Sequence, residues 1–90
     1  MSLAAAVNRV QASAVDDLRA AFGKRVRELR KARGFSQEEL AHRAGMHYTY
    51  VGGIERGERT PALINIGALA AALGVPLAEL FSPFRERSRR

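Results

Sequence analysis

Cysteine is absent from these 90 residues. That removes disulfides, thiolate nucleophiles and sulfur metal ligands together, so the fold has to rest on packing and polar contacts. No apolar run approaches the roughly 18 residues that a membrane span needs. The opening MSLAAAVNRV lacks a basic end followed by an apolar stretch, so neither anchor nor leader is expected, and the cytoplasm is the expected compartment. His42 and His47 are five apart without the H-E-x-x-H spacing, so no metal or other cofactor is expected. Gly52-Gly53 lacks both the preceding strand and the Lys-Ser/Thr pair of a phosphate loop. With no Ser, His and Asp set to build a nucleophile either, the chain is expected not to be an enzyme.

A chain of this length without repeats has room for one small domain. Its 15 basic and 9 acidic residues give a formal charge of +6 and a pI near 11.1, which favours polyanionic partners without identifying them. Thirteen of the 15 are arginine, whose planar fork meets phosphate and guanine bidentately. A GC-rich genome would give the same bias.

Val15, Leu18, Phe22, Val26 and Leu29 recur at spacings of three and four, with Arg19, Lys24, Arg25, Glu28 and Lys31 on the other faces. This pattern predicts an amphipathic helix from Asp16 or Asp17 to Arg33, closed by Gly34. Ser36 with Glu39 is a capping box that opens a second helix carrying Leu40, Ala41 and Ala44 inward, and Gly45 ends it. A third helix is expected from His47 to Arg56, burying Val51 and Ile54, with Gly57 as a left-handed terminator. Gly52 and Gly53 each cost about 1 kcal/mol inside it, so packing must sustain it. Thr60-Pro61 is expected to open a fourth helix with Leu63, Ile66, Leu69, Ala70 and Leu73 on its buried face, closed by Gly74. A short fifth follows Pro76, with Leu77, Leu80 and Phe81.

Two short helices joined at a glycine, from Ser36 to Gly57, have the layout of a helix-turn-helix, whose second helix enters the DNA major groove. Ser-Gln-Glu-Glu-Leu-Ala (36 to 41), Ala44-Gly45, Tyr50-Val51 and Ile54-Glu55-Arg56-Gly57 resemble the Xre/Cro-type, or lambda-repressor-like, helix-turn-helix family. The resemblance runs from about Phe22 to Phe81. It implies an all-α, compact five-helix domain over residues 16–82, between an N-terminal extension (1–15) and a basic tail (83–90). The extension carries Leu3, Val7, Val10 and Ala14 at helical spacing. It is compatible with a longer first helix, a separate helix or disorder.

At the start of the third helix, His47, Tyr48 and Thr49 are candidate readers of bases or phosphates, and Thr49 can also meet a thymine methyl. Solvent-exposed aromatics at a turn are the competing account. The resemblance implies that Tyr50 packs its ring while its hydroxyl reaches a phosphate, and that Gln37 touches a phosphate or an outer base. Gly53, one turn after Thr49, is a candidate point of close approach to the groove. Arg43, Arg56 and Arg59 are candidates for flanking phosphates, with solvated surface arginine as the alternative. An acid beside DNA would be repelled, and the resemblance implies that Glu55 turns inward to a structural ion pair with Arg30.

The function expected is a sequence-specific transcription regulator of double-stranded DNA, acting as a homodimer on half-sites about one helical turn apart. Leu77, Phe81 and Phe84 are candidates for the dimer contact, or else ordinary core. The alternative is a protein-interaction adaptor or antitoxin with the same helices, in which the N-terminal segment meets a protein partner. Restriction-modification controller proteins with this domain look similar in size.

Overall fold

The computed structural model describes the backbone of residues 3–84 and the side chains of residues 14–84. The basic tail beyond Phe84 and the side chains of Leu3, Val7 and Val10 lie outside what is described. Within it are five α-helices and no strand: α1 (Leu3–Ala32), α2 (Gln37–Ala44), α3 (Tyr48–Glu55), α4 (Leu63–Leu73) and α5 (Leu77–Leu80), then a 3-10 turn at Ser82–Phe84.

The expected start at Asp16 or Asp17 is not a helix boundary. α1 is already helical from Leu3, since the alanine-rich segment offers no breaker and high helix propensity. Burial along it begins later. Phe22 and Val26 are in the core, whereas Val15 and Leu18, expected to face inward, are 40% and 49% exposed at its rim.

The core is drawn from every helix: Phe22 and Val26, Leu40 and Ala41, Val51 and Ile54, Leu69 with Ala70 and Leu73, and Leu80. Gly23 makes the closest approach possible. A Cβ there would lie 2.7 Å from the Glu55 carbonyl oxygen and even nearer that of Ile54, so α1 and α3 touch backbone to backbone.

Caps mark the elements as the sequence suggests, with two shifts. Ser36 Oγ accepts the Glu39 amide at 3.0 Å, and Gly34, Gly45, Gly57 and Gly74 all adopt left-handed φ. α4, however, starts at Leu63 with Ala62 as a bare cap, not at Thr60-Pro61. Leu63, expected on its buried face, is 76% exposed. It sits in the first turn, about 70° off the centre of the stripe formed by Ile66, Leu69, Ala70 and Leu73.

Arginines of α1 lace the remaining helices to it. Arg19 Nε donates to Thr60 Oγ1 at 2.6 Å, and Arg25 reaches the backbone and the carboxylate of Glu79 at 3.0 and 2.7 Å. Arg33 Nη1 donates to the Leu73 carbonyl at the end of α4.

The glycines allow a paired test. Gly23→Ala should lower stability by about 2 kcal/mol or more in denaturant unfolding, because backbone carbonyls cannot move aside as side chains can. Gly67→Ala, at a helix position where an added Cβ meets nothing within 4 Å, should raise it by about 0.5–1 kcal/mol. Equal effects at the two positions would contradict the close approach.

Candidate nucleic-acid interface

The turn between α2 and α3 is set by Gly45, at φ 71°. Beyond it the Met46 amide returns to the Ala41 carbonyl at 2.9 Å. This closes the end of α2 and aims the N-terminus of α3 outward.

At that N-terminus His47 is the cap, in extended conformation. Its Nδ1 accepts the Thr49 amide at 3.2 Å, and the Thr49 hydroxyl lies 2.8 Å from the same atom. The Tyr48 ring stacks on His47 at 4.9 Å between centroids and is 47% exposed. His47, Tyr48 and Thr49 together form an exposed polar end to α3. Tyr50 is half-buried against the core, and its hydroxyl is 3.4 Å from the amide nitrogen of Asn65.

At the other end of α3 lies a polar cleft of about 280 Å³ lined by Arg27, Arg30, Gln37, Glu55 and Arg56. Its floor is a three-helix junction. Arg30 Nε donates to Glu55 Oε2 at 2.6 Å and its Nη2 to Oε1 at 3.0 Å. Arg30 Nη1 donates to the Phe35 carbonyl at 2.8 Å, and Gln37 Nε2 donates to Glu55 Oε1 at 3.0 Å. The Arg30 and Glu55 side chains are only 10% and 3% exposed, so α1, the start of α2 and the end of α3 meet on one desolvated carboxylate. Arg56, on the rim, is paired with Glu58 at 3.1 Å in solvent.

Two candidates stand apart from the cleft, and a third is covered. Arg43 projects about 120° away from Gln37 around α2. Its Nε holds Glu39 at 2.5 Å, and its guanidinium lies 4.5 Å from the centre of the Phe35 ring. Arg59 lines an apolar groove with Leu18, Phe22, Pro61 and Phe81, so it diverges from Arg56. Gly53 is buried, not on an open face: a Cβ there would lie 2.5 Å from Arg59 Cγ, because the loop after α3 folds the stem of Arg59 over it. Two residues escaped the sequence reading. Gly23 needed the register of α1 on α3 to be recognised. Arg27 had a visible signal, its position three residues before Arg30 on the same helix.

An all-helical bundle with a glycine-turned helix pair and a polar recognition end defines a DNA-binding regulator domain of the helix-turn-helix class. The chain belongs to the Xre/Cro-like helix-turn-helix family HTH_3, whose model matches residues 26–80. This is a family of transcription regulators, not of enzymes. The chain is 46% identical over 71 residues to a hypothetical transcription factor of Neisseria meningitidis, covering 79% of this chain and 67% of the relative. It is 41% identical over 66 residues to control protein C.BamHI of Bacillus amyloliquefaciens, covering 72% and 82%. Among solved structures, the restriction-modification controller protein C.AhdI of Aeromonas hydrophila superposes with a TM-score of 0.68 at 53% identity, covering 69% of this chain and 94% of that one. Among the described residues no helix is long and apolar enough to cross a membrane.

Glu55→Ala strands the Arg30 guanidinium and should cost about 3 kcal/mol, read as a lowered melting temperature. An unchanged melting temperature would mean that the junction carries no net stability. His47→Ala should cost about 1 kcal/mol through the lost cap, and His47→Ser should restore most of it. Failure of serine to recover stability would show that His47 acts there through its ring packing.

Proposed function

We propose that the chain is a sequence-specific regulator of double-stranded DNA that works in the cytoplasm as a symmetric dimer on a palindromic operator. The exposed polar N-terminal end of α3, with a cleft holding three arginines at the other end of the same helix, carries this reading. Thr49 and Tyr48 are the base readers, with His47 fixing their geometry, and Gln37 and Arg56 hold backbone phosphates. The hydroxyl of Tyr50 is within reach of a phosphate while its ring stays in the domain. Arg59 is a weaker phosphate candidate, given its place on the apolar groove. Arg43, engaged on another face of α2, is left out of the contact, and so is Gly53.

A single domain of this size covers one half-site. Leu77 and Phe81 are 45% and 39% exposed, and Phe84 lies 6.1 Å from Phe81 between ring centroids. These three supply the apolar contact between copies. The likeness to control proteins favours a regulator over an adaptor.

Selection of bound sequences from a random duplex library tests this reading. The expected result is an enriched palindrome with half-sites about one helical turn, roughly 34 Å, apart. Thr49→Ala should relax one position of the enriched motif, and Arg56→Ala should weaken all sequences evenly. Absence of any enriched sequence at moderate salt would reject specific regulation.

A further inference from the structure

The cleft behind α3 holds three arginines and one glutamate, yet its charges are not equivalent. Both oxygens of Glu55 are already occupied, Oε2 by Arg30 and Oε1 by Arg30 and Gln37. The acid is therefore engaged at the floor and, with its side chain only 3% exposed, turns little acceptor surface to the mouth. The guanidinium groups of Arg27 and Arg56 line the rest of the cleft with the Gln37 amide, whose second N–H is a donor and whose Oε1 lies on the Arg56 side.

Arg27 is exposed and makes no ion pair among the described residues. Arg56 is held only by Glu58 in a pair with both side chains about 60% exposed, which a competing anion can exchange at little cost. Gln37 is locked from behind by Glu55, so its remaining donor is oriented before any ligand arrives.

We propose that this cleft is a seat for one phosphodiester group of duplex DNA, and that Arg27, projecting from α1, is its outer arm opposite Arg56. The inference rests on the DNA-binding reading and adds α1 to a contact otherwise confined to α2 and α3. The cleft net charge of +2 and the two guanidinium groups that line it with Gln37 match a tetrahedral anion with two free oxygens. Arg27 contacts the backbone and not a base, so it contributes affinity without sequence preference.

The test is a titration of operator binding against salt for the wild type, Arg27→Ala, Arg27→Lys, Arg56→Ala and the Arg27/Arg56 double variant, with melting temperatures alongside. The expected result for Arg27→Ala is a loss of about tenfold in affinity, uniform across operator variants, and a log-log salt slope shallower by about 0.9. The melting temperature should stay constant, since the side chain is exposed. Arg27→Lys should restore the slope, and the double variant should lose less than the product of the two single losses, because both arms hold one phosphate.

Unchanged affinity and slope in Arg27→Ala, with the wild type still selecting an operator, would overturn the inference and leave the DNA-binding reading standing. Strict multiplicativity in the double variant would also overturn the shared seat. If no operator is enriched, the same titration on a random-sequence duplex at low salt still reads Arg27. A wild type that binds neither duplex would reject the reading and the inference together.

Discussion

The carboxylate of Glu55 is the point on which three helices converge, and the fold and the interface both depend on it. A carboxylate this buried would be costly alone. It is kept by two hydrogen bonds from Arg30 and one from Gln37, while the third bond of Arg30, to the Phe35 carbonyl, anchors the connection that leads into α2. Removing either partner of the ion pair leaves a buried unpaired charge, so the cluster behaves as one unit. Its geometry fixes where α3 stands relative to α1 and where Gln37 stands relative to both.

That junction tolerates little slack because Gly23 lets α1 rest against the backbone carbonyls of Ile54 and Glu55. α3 is intrinsically weak, with eight residues and two glycines that together cost about 2 kcal/mol of helix propensity. Full burial of Val51 and Ile54 contributes about 1.5–3 kcal/mol each and outweighs that cost. The helix that faces outward therefore persists only because its inner side is docked, and its local order is inherited from α1 and α2.

Local signals in the sequence were sufficient for much of this. Ser36, Gly45 and Gly74 define helix ends through chemistry that acts within a few residues, and the α2–α3 layout follows from them. Leu63 shows where such signals fail: an apolar residue at helical spacing still faces solvent when it lies in the first turn, off the centre of the buried stripe. Gly53 shows the converse. Nothing near it in the sequence reveals that the stem of Arg59 folds over it, because that depends on the path of the loop after α3. Arg43 was separated from the other arginines by its angular position on α2 and by Glu39 and Phe35, a distinction that counting basic residues cannot make. Family resemblance implies the Arg30–Glu55 pairing, whereas the added ties to Gln37 and the Phe35 carbonyl depend on how the three helices meet.

The division of labour within the interface follows from burial. Gln37 cannot be altered without disturbing Glu55, and Glu55 cannot be altered without stranding Arg30, so this part of the site is constrained by stability before binding is considered. Tyr48 and Thr49 carry no such burden: both are exposed, and their mutual geometry with His47 is local to the first turn of α3. On the proposed reading, changes there alter which bases are read while the domain stays folded. That reading lodges specificity in the residues that the fold needs least, while the orientation of the helix that carries them is lodged in the residues it needs most.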